Sequence, residues 1–428
     1  MTREQFAEKI RIGHNLGNAL ECIEPICGNG VYCKIDREVT DINGYHDHRI
    51  TIQYPDGTYS YYYSFEEIWS NVPVTQPWFN QLARSGIQAV RIPINLAGHI
   101  IDTQTNEIDP LWMKRIREVI DMAIDEGLIV NLCLHTDYVM YYKLEHYASL
   151  LHTELDVNED ATAIIISMWK QMAEYLKDIP VENLCFELSN EFRLHDADYD
   201  LTNVEDIKAL TLEDKAIMTA RLNKHIFDTI RDIGGNNSRR FLLIGGYGNN
   251  PDVGKQVFID TFKEWFDSHC LITACYYSPW EFAVSNRHNI WQMNSEVKQM
   301  MEYNLNVLTA VADELKVPLV ITEYGIGCNE HEMLMKDKFS ICRYLYTVMG
   351  MMKNHNLSAF IWDPGYILRR DNNDFGIQYW REMVRYFYYD GQFDLYDSFT
   401  ECSDDMSFER INPGITRTID EIRALDEI

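Results

Sequence analysis

Two glutamates close apolar runs that read as buried strands. Glu191 ends "LCFELSNE" (184–191), and Glu323 lies near the end of "LVITEYG" (319–325). A strand-end glutamate taken singly is ordinarily just solvated. A pair on separate strands is what cleavage of a glycosidic bond requires. One carboxyl must be protonated to hand its proton to the leaving oxygen, and the other ionised to attack or stabilise the anomeric carbon. Different surroundings can hold the two pKa values apart. Other strand ends add amide, imidazole, phenol, indole and guanidinium groups: Asn15, Asn18 and Glu21, then Arg91, His135 with Asp137, Asn190, Tyr277 and Trp362. The fifth run ends blandly in "GGYGNN". Glu187 shares a face with Glu191 by strand alternation, so it points inward. A buried carboxylate needs a partner, and Arg91 is the candidate, which makes Glu187 structural.

The set contains no GxSxG, no phosphate loop and no metal-ligand spacing. Cys22, Cys27 and Cys33, followed by His46 and His48, form neither a CxxC nor an HxxxH and read as loop residues. We therefore expect no metal and no cofactor.

The elements that must position these groups are short apolar runs separated by helical patterns. Strand candidates are 11–15, 89–94, 128–135, 184–191, 241–248, 271–278, 319–325 and 358–365. Several are apolar throughout, as strands of a parallel sheet buried on both faces are. Between them, 109–127 reads as a helix that Asp109 caps, Pro110 opens and Gly127 stops. Its apolar stripe is Trp112, Ile116, Val119, Ile120 and Ala123. Similar helices fit 75–85, 160–177, 213–232, 295–315 and 337–355. Eight such units give an α/β fold, a (β/α)8 TIM barrel. The competing doubly wound sheet lacks a GxGxxG after its first strand. An insertion over about 22–68 breaks the rhythm. Alternation at Ile50, Ile52, Tyr54, then "PDG", then Tyr59, Tyr61, Tyr63 predicts a β-hairpin in the first βα loop. Its tyrosines could stack on sugar rings or pack on the barrel rim. We expect one domain over 1–428, with the site at the carboxyl-terminal ends of the strands.

Composition sets the remaining bounds. The chain has 38 basic and 66 acidic residues, a formal net charge of −28. That balance disfavours nucleic acid, whose phosphates need a basic surface. No run approaches the length of a membrane span. The amino end lacks the layout of a secretory signal, so the expectation is cytoplasmic if Met1 is the native start, and extracellular or periplasmic if a signal was removed. The ten cysteines, many inside apolar runs such as those around Cys133, Cys185 and Cys275, suit reduced buried thiols.

In order along the chain, these residues resemble glycoside hydrolase family 5, the cellulase-like clan A retaining endoglycosidases. "GHNLGNALE" (13–21) is similar to the family's NLGN-x-LE, "VRIPI" (90–94) to VRIPV, and "FELSNEFR" (186–193) to FE-xx-NEPR with Phe192 in place of proline. "YYSPWEF" (276–282), "ITEYG" (321–325) and "FIWDPG" (360–365) resemble the tyrosine, nucleophile and last-strand tryptophan segments. The stretch 69–98 resembles the endoglucanase and xyloglucanase side of the family. The resemblance implies Glu191 as acid/base, Glu323 as nucleophile, Asn190 on the sugar 2-hydroxyl, Tyr277 orienting Glu323, Arg91 supporting it, and Trp362 as sugar platform. His135 and Asn18 would complete the substrate contacts. It further implies retaining endo-hydrolysis of a β-1,4-linked glucan or xyloglucan, with a poly- or oligosaccharide as partner. Two positions depart from the pattern: Cys275 and Thr136 stand where the family carries histidines. A neutral thiol is a weak donor. The alternative is accordingly a carbohydrate-binding barrel whose catalysis is attenuated or lost; a third reading is a barrel enzyme of unrelated chemistry that uses its cysteines.

Overall fold

Eight parallel strands close on themselves in the computed structural model, which describes residues 1–22, 32–36, 49–53, 56–62, 64–68, 72–102, 104–135, 159–191, 211–285, 294–327, 336, 338–365, 367–373 and 384. The strands are β1 (Ile12–Asn15), β2 (Ala89–Ile94), β3 (Ile129–Leu134), β4 (Leu184–Glu187), β5 (Leu242–Gly245), β6 (Cys270–Tyr276), β7 (Leu319–Gly325) and β8 (Ser358–Trp362). Each pairs with its neighbours in sequence, and β8 returns to β1 through Ile12 opposite Ala359. All eight expected strands are present, and the expected (β/α)8 barrel is the fold. Several expected ends run past the strands: β4 stops at Glu187, β5 at Gly245, β6 at Tyr276 and β8 at Trp362.

Among the described residues the α-helices are α1 (Arg3–Lys9), α2 (Gln76–Arg84), α3 (Pro110–Asp125), α4 (Glu159–Tyr175), α5 (Leu212–Ile233), α6 (Lys255–Trp265), α7 (Trp280–Ala283), α8 (Ser295–Leu315) and α9 (Lys338–Asn354). In α3, Asp109 accepts the Leu111 N–H at 2.9 Å as the cap, and all five stripe residues are buried. Gly127 supplies the left-handed stop with φ +79°. The sequence gives no start signal for α6: its N-cap, Gly254, has φ +63° and no capping side chain.

The two ends of the barrel differ in chemistry. At the amino-terminal end, α1 inserts Phe6, which stacks on Phe241 with ring centroids 4.1 Å apart. Phe6 joins Leu243, Leu271, Val320 and Phe360 in an apolar plug. Gly13 makes room for that plug, because a Cβ there would lie 2.2 Å from the Phe360 ring. Polar side chains occupy the other end.

Strands Arg49–Gln53 and Tyr59–Tyr62 pair antiparallel across a turn containing Asp56 and Gly57. A third strand that sequence reasoning missed, Tyr32–Asp36, extends them to a three-stranded sheet. Cys33, weighed above as a loop residue, lies in that strand. Cys27, His46, His48, Tyr54, Tyr63, Thr136, Asp137 and Phe192 fall outside the described residues. Among the described residues no group of side chains is arranged to hold a metal, and no helix is long and apolar enough to cross a membrane. Cys22, Cys133, Cys185, Cys270 and Cys275 are buried.

Candidate active site

Arg91, on β2, is the hub of the carboxyl-terminal end of the barrel. It is 0% exposed, and every nitrogen of its guanidinium is engaged. Nε donates to Glu187 Oε2 at 2.6 Å, and Nη1 to Asn15 Oδ1 at 3.0 Å and Glu323 Oε1 at 2.6 Å. Nη2 donates to Glu187 Oε1 at 3.0 Å, Asn190 Oδ1 at 2.8 Å and Cys133 Sγ at 3.0 Å. The expected Arg91–Glu187 pairing is therefore bidentate. Glu187 also accepts from Asn131 Nδ2 at 2.8 Å and Thr322 Oγ1 at 3.0 Å, which gives it a structural role.

A β-bulge aims Glu323. On the β6 side Ala274 pairs with Ile321 but Cys275 with Glu323; on the β8 side Ala359 pairs with Ile321 but Ile361 with Tyr324. The extra residue turns the consecutive Thr322 and Glu323 to the same interior face, which strict alternation forbids. Thr322 reaches Glu187, and Glu323 reaches Arg91. Glu323 is 5% exposed, and its Oε2 accepts the Tyr277 hydroxyl at 2.8 Å. Burial pushes its pKa up to about 7 against the pull of Arg91, the charge of Glu191 adds to the rise, and the Tyr277 hydrogen bond opposes it. Burial and the neighbouring Glu323 charge raise Tyr277 well above an ordinary phenol, so it is a neutral donor.

Glu191 follows β4 and is half-buried. Its charge acts on Glu323, Tyr277 and Cys275. Beside it, the Asn190 backbone N–H is tied to Leu134 O at 3.0 Å. Because Arg91 donates to Asn190 Oδ1, the orientation of the amide is set. Burial, with Arg91 nearby, holds the His135 imidazole well below its usual pKa, hence neutral. Its ring lies 6.3 Å from that of Trp362, tilted by 32°.

Trp362 ends β8 half-buried. Gly17 sits against it, since a Cβ there would come within 3.0 Å of the indole. The next residue, Asp363, locks the following turn. Its Oδ1 accepts the N–H groups of Gly365 and Ile367, both at 2.9 Å; its Oδ2 accepts that of Leu368 at 2.9 Å and meets His14 Nε2 at 2.8 Å. Asn18 lies in the turn after β1 with φ +54°. Its N–H bonds to the buried Glu21 carboxylate, and its carbonyl accepts from Arg370 at 2.7 Å. Burial raises Glu21 to about 7, and its bonds to the Asn18 and Ala19 amides make it a loop staple.

Of the sequence-predicted residues, Arg91, Asn190, Tyr277 and Glu323 thus meet in one bonded cluster, with Glu191 next in the chain to Asn190; His135 and Trp362 form a ring pair, and Asn18 lies in the turn after β1. Sequence reasoning missed Asn249, in the segment taken as bland. It is 1% exposed, and its Nδ2 reaches Thr322 Oγ1 at 3.2 Å, Cys275 Sγ at 3.3 Å and Glu187 Oε1 at 3.4 Å. The available signal was the glycine pair before it: a Cβ on Gly245 would lie 2.3 Å from Asn249 Oδ1.

A family model described as Cellulase (glycosyl hydrolase family 5) matches residues 53–366. Endoglucanase A of Ruminococcus albus is 28% identical over 317 residues, 72% of this chain and 78% of the relative. The xyloglucan-specific endo-beta-1,4-glucanase BoGH5A of Bacteroides ovatus is 24% identical over 383 residues, 86% of this chain and 66% of the relative. Among solved structures, a tri-modular GH5 (subfamily 4) endo-beta-1,4-glucanase from Bacillus licheniformis complexed with cellotetraose superposes with a TM-score of 0.63 at 22% identity, covering 90% of this chain and 60% of that one. With the family model spanning the barrel from the insertion to β8, the chain belongs to the cellulase family, glycosyl hydrolase family 5, and is a cellulase-like glycosidase.

Proposed function

We propose that the protein is a retaining endo-β-1,4-glucanase acting on β-glucan or xyloglucan, with Glu323 as nucleophile and Glu191 as acid/base. The observation that carries this reading is Glu323 held between Arg91 and Tyr277, at 2.6 and 2.8 Å, within reach of the Glu191 charge. In the first step the Glu323 carboxylate attacks the anomeric carbon. The glycosidic C–O bond breaks, and Glu191 gives its proton to the leaving oxygen. In the second, Glu191 takes a proton from water, the water oxygen attacks the same carbon, and the bond to Glu323 breaks. Two inversions restore the β configuration.

Each neighbour has a physical task. Arg91 favours the ionised form of Glu323 and fixes one of its oxygens. Tyr277 fixes the other. Asn190, oriented by Arg91, is placed for the sugar 2-hydroxyl, and Trp362 offers an indole face to a pyranose ring. His135, held neutral, can hydrogen-bond a sugar hydroxyl without adding charge. The names of the relatives support the choice between glycans: one is called xyloglucan-specific, and a neighbour's structure carries cellotetraose.

The test is a screen of soluble xyloglucan, mixed-linkage glucan, carboxymethylcellulose and mannan for new reducing ends, with the anomer of the first product followed by NMR. Expected are β-anomers first and loss of turnover in Glu323→Gln without loss of folding. Turnover retained in that variant removes Glu323 from its role. Glucan binding with no product at any protein concentration favours the non-catalytic barrel.

A further inference from the structure

We infer that Asn249 is a positioning residue of this site, and that it forms with Cys275 an uncharged bracket standing where the family resemblance expects a single imidazole. The inference rests on the glycosidase reading above and concerns how the nucleophile is held.

Asn249 comes from the turn after β5, a strand that contributes nothing to the expected site. Its backbone adopts the left-handed region with φ +56°. The amide then lies inside the barrel mouth among three strands: Glu187 of β4, Cys275 of β6 and Thr322 of β7. Two routes lead from it to Glu323. One runs through Glu187 to Arg91, which donates to both glutamates. The other runs through Cys275, which lies opposite Glu323 in the strand register. Glu323, Glu191, Arg91 and Glu187 are the charged groups that face Cys275; burial first, then the Glu323 and Glu191 charges, keep the sulfur a protonated thiol. Asn249 Nδ2 donates to that sulfur at 3.3 Å. An imidazole there would titrate in the working range; this bracket stays neutral. Gly245 serves the same arrangement, because any Cβ would collide with the Asn249 amide oxygen at 2.3 Å.

The experiment compares steady-state kinetics on soluble xyloglucan for the full-length wild type, Asn249→Ala, Gly245→Ala, and Asn249→Ala combined with Cys275→His. Gly245→Ala displaces the amide without deleting it, so it still answers if Asn249→Ala does not fold. Both single variants should lower kcat by about 10- to 100-fold, the effect of a misaligned reacting group, with KM within about threefold because neither residue touches sugar. Adding Cys275→His should recover part of kcat and introduce an imidazole titration into the pH profile. A kcat within about twofold of wild type in both single variants, or no recovery in the double variant, overturns the bracket while leaving the glycosidase reading intact. A wild type without turnover on any β-glucan overturns the glycosidase reading, and the bracket with it.

Discussion

Replacing Tyr277 with phenylalanine removes one hydroxyl and leaves the ring that shapes the pocket. The lost contact is the 2.8 Å hydrogen bond to Glu323 Oε2, a bond to the proposed nucleophile, which must be ionised for attack. Hydrogen bonds to charged groups contribute about 1.5–3 kcal/mol. At 1.36 kcal/mol per pKa unit, its loss raises Glu323 by about 1–2 units from its starting point of about 7. A nucleophilic carboxylate works above its pKa and fails as pH falls through it. The acid limb of kcat/KM should therefore move to higher pH by about that amount. Well down the acid limb the ionised fraction, and kcat/KM with it, falls about 10- to 100-fold relative to wild type. The assay is the pH dependence of kcat/KM on a soluble β-glucan, with denaturant midpoints as the folding control. An acid limb that superimposes on that of wild type in a folded Tyr277→Phe protein would refute the assignment of Glu323 as the ionising group.

Two further predictions concern stability. Gly13→Ala puts a methyl group 2.2 Å from the Phe360 ring at the apolar end of the barrel; overpacking should cost about 1–3 kcal/mol in urea unfolding, and an unchanged midpoint would show that the plug is not tightly filled. For Asp363, burial pushes the carboxyl up, but His14 and the Ile367 and Leu368 amides outweigh it and hold the pKa below the ordinary 3.8. The stability this contributes is present above that ordinary value and lost as pH falls through the lower folded one. Asp363→Asn should therefore be less stable than wild type at pH 7 and closer to it near pH 3; an equal deficit at both would show that the carboxylate charge is not what locks the turn.

The fold was legible because barrel strands buried on both faces print as apolar runs, and the carboxyl-terminal rule then turns their ends into a site. Arg91, Asn190, Tyr277 and Glu323 were found that way. What stayed hidden depends on departures from regular geometry. Alternation cannot place Thr322 and Glu323 on one face; only the bulge in β7 does. Asn249 reaches the site through a left-handed turn beyond the strand end, so its distance in sequence from Gly245 says nothing of where its amide goes. The helix α6 lacks a capping side chain, and a start with no side-chain cap leaves no mark in the sequence. In 184–191 the strand ends at Glu187, although the Leu188 and Asn190 N–H groups still bond to Leu243 and Leu134 of the neighbouring strands.

The donor supply favours Glu323 over Glu187 as the nucleophile proposed above, although both are bonded to the same guanidinium. Glu187 is 0% exposed and accepts from Arg91 Nε and Nη2, Asn131, Thr322 and Asn249. A carboxylate has about four lone-pair sites, so no capacity remains to meet a substrate. Glu323 receives one Arg91 nitrogen and the Tyr277 hydroxyl, and its edge is the one that reaches the mouth. One buried cation between two carboxylates leaves a net negative charge, and Glu191 adds the charge of a third carboxylate. The group with fewer donors then bears the electrostatic strain, in the same sense as the raised pKa of Glu323. Attack on an anomeric carbon relieves that strain, because the covalent ester carries no charge. The network that saturates Glu187 thus leaves Glu323 as the carboxylate able to take the proposed nucleophilic role.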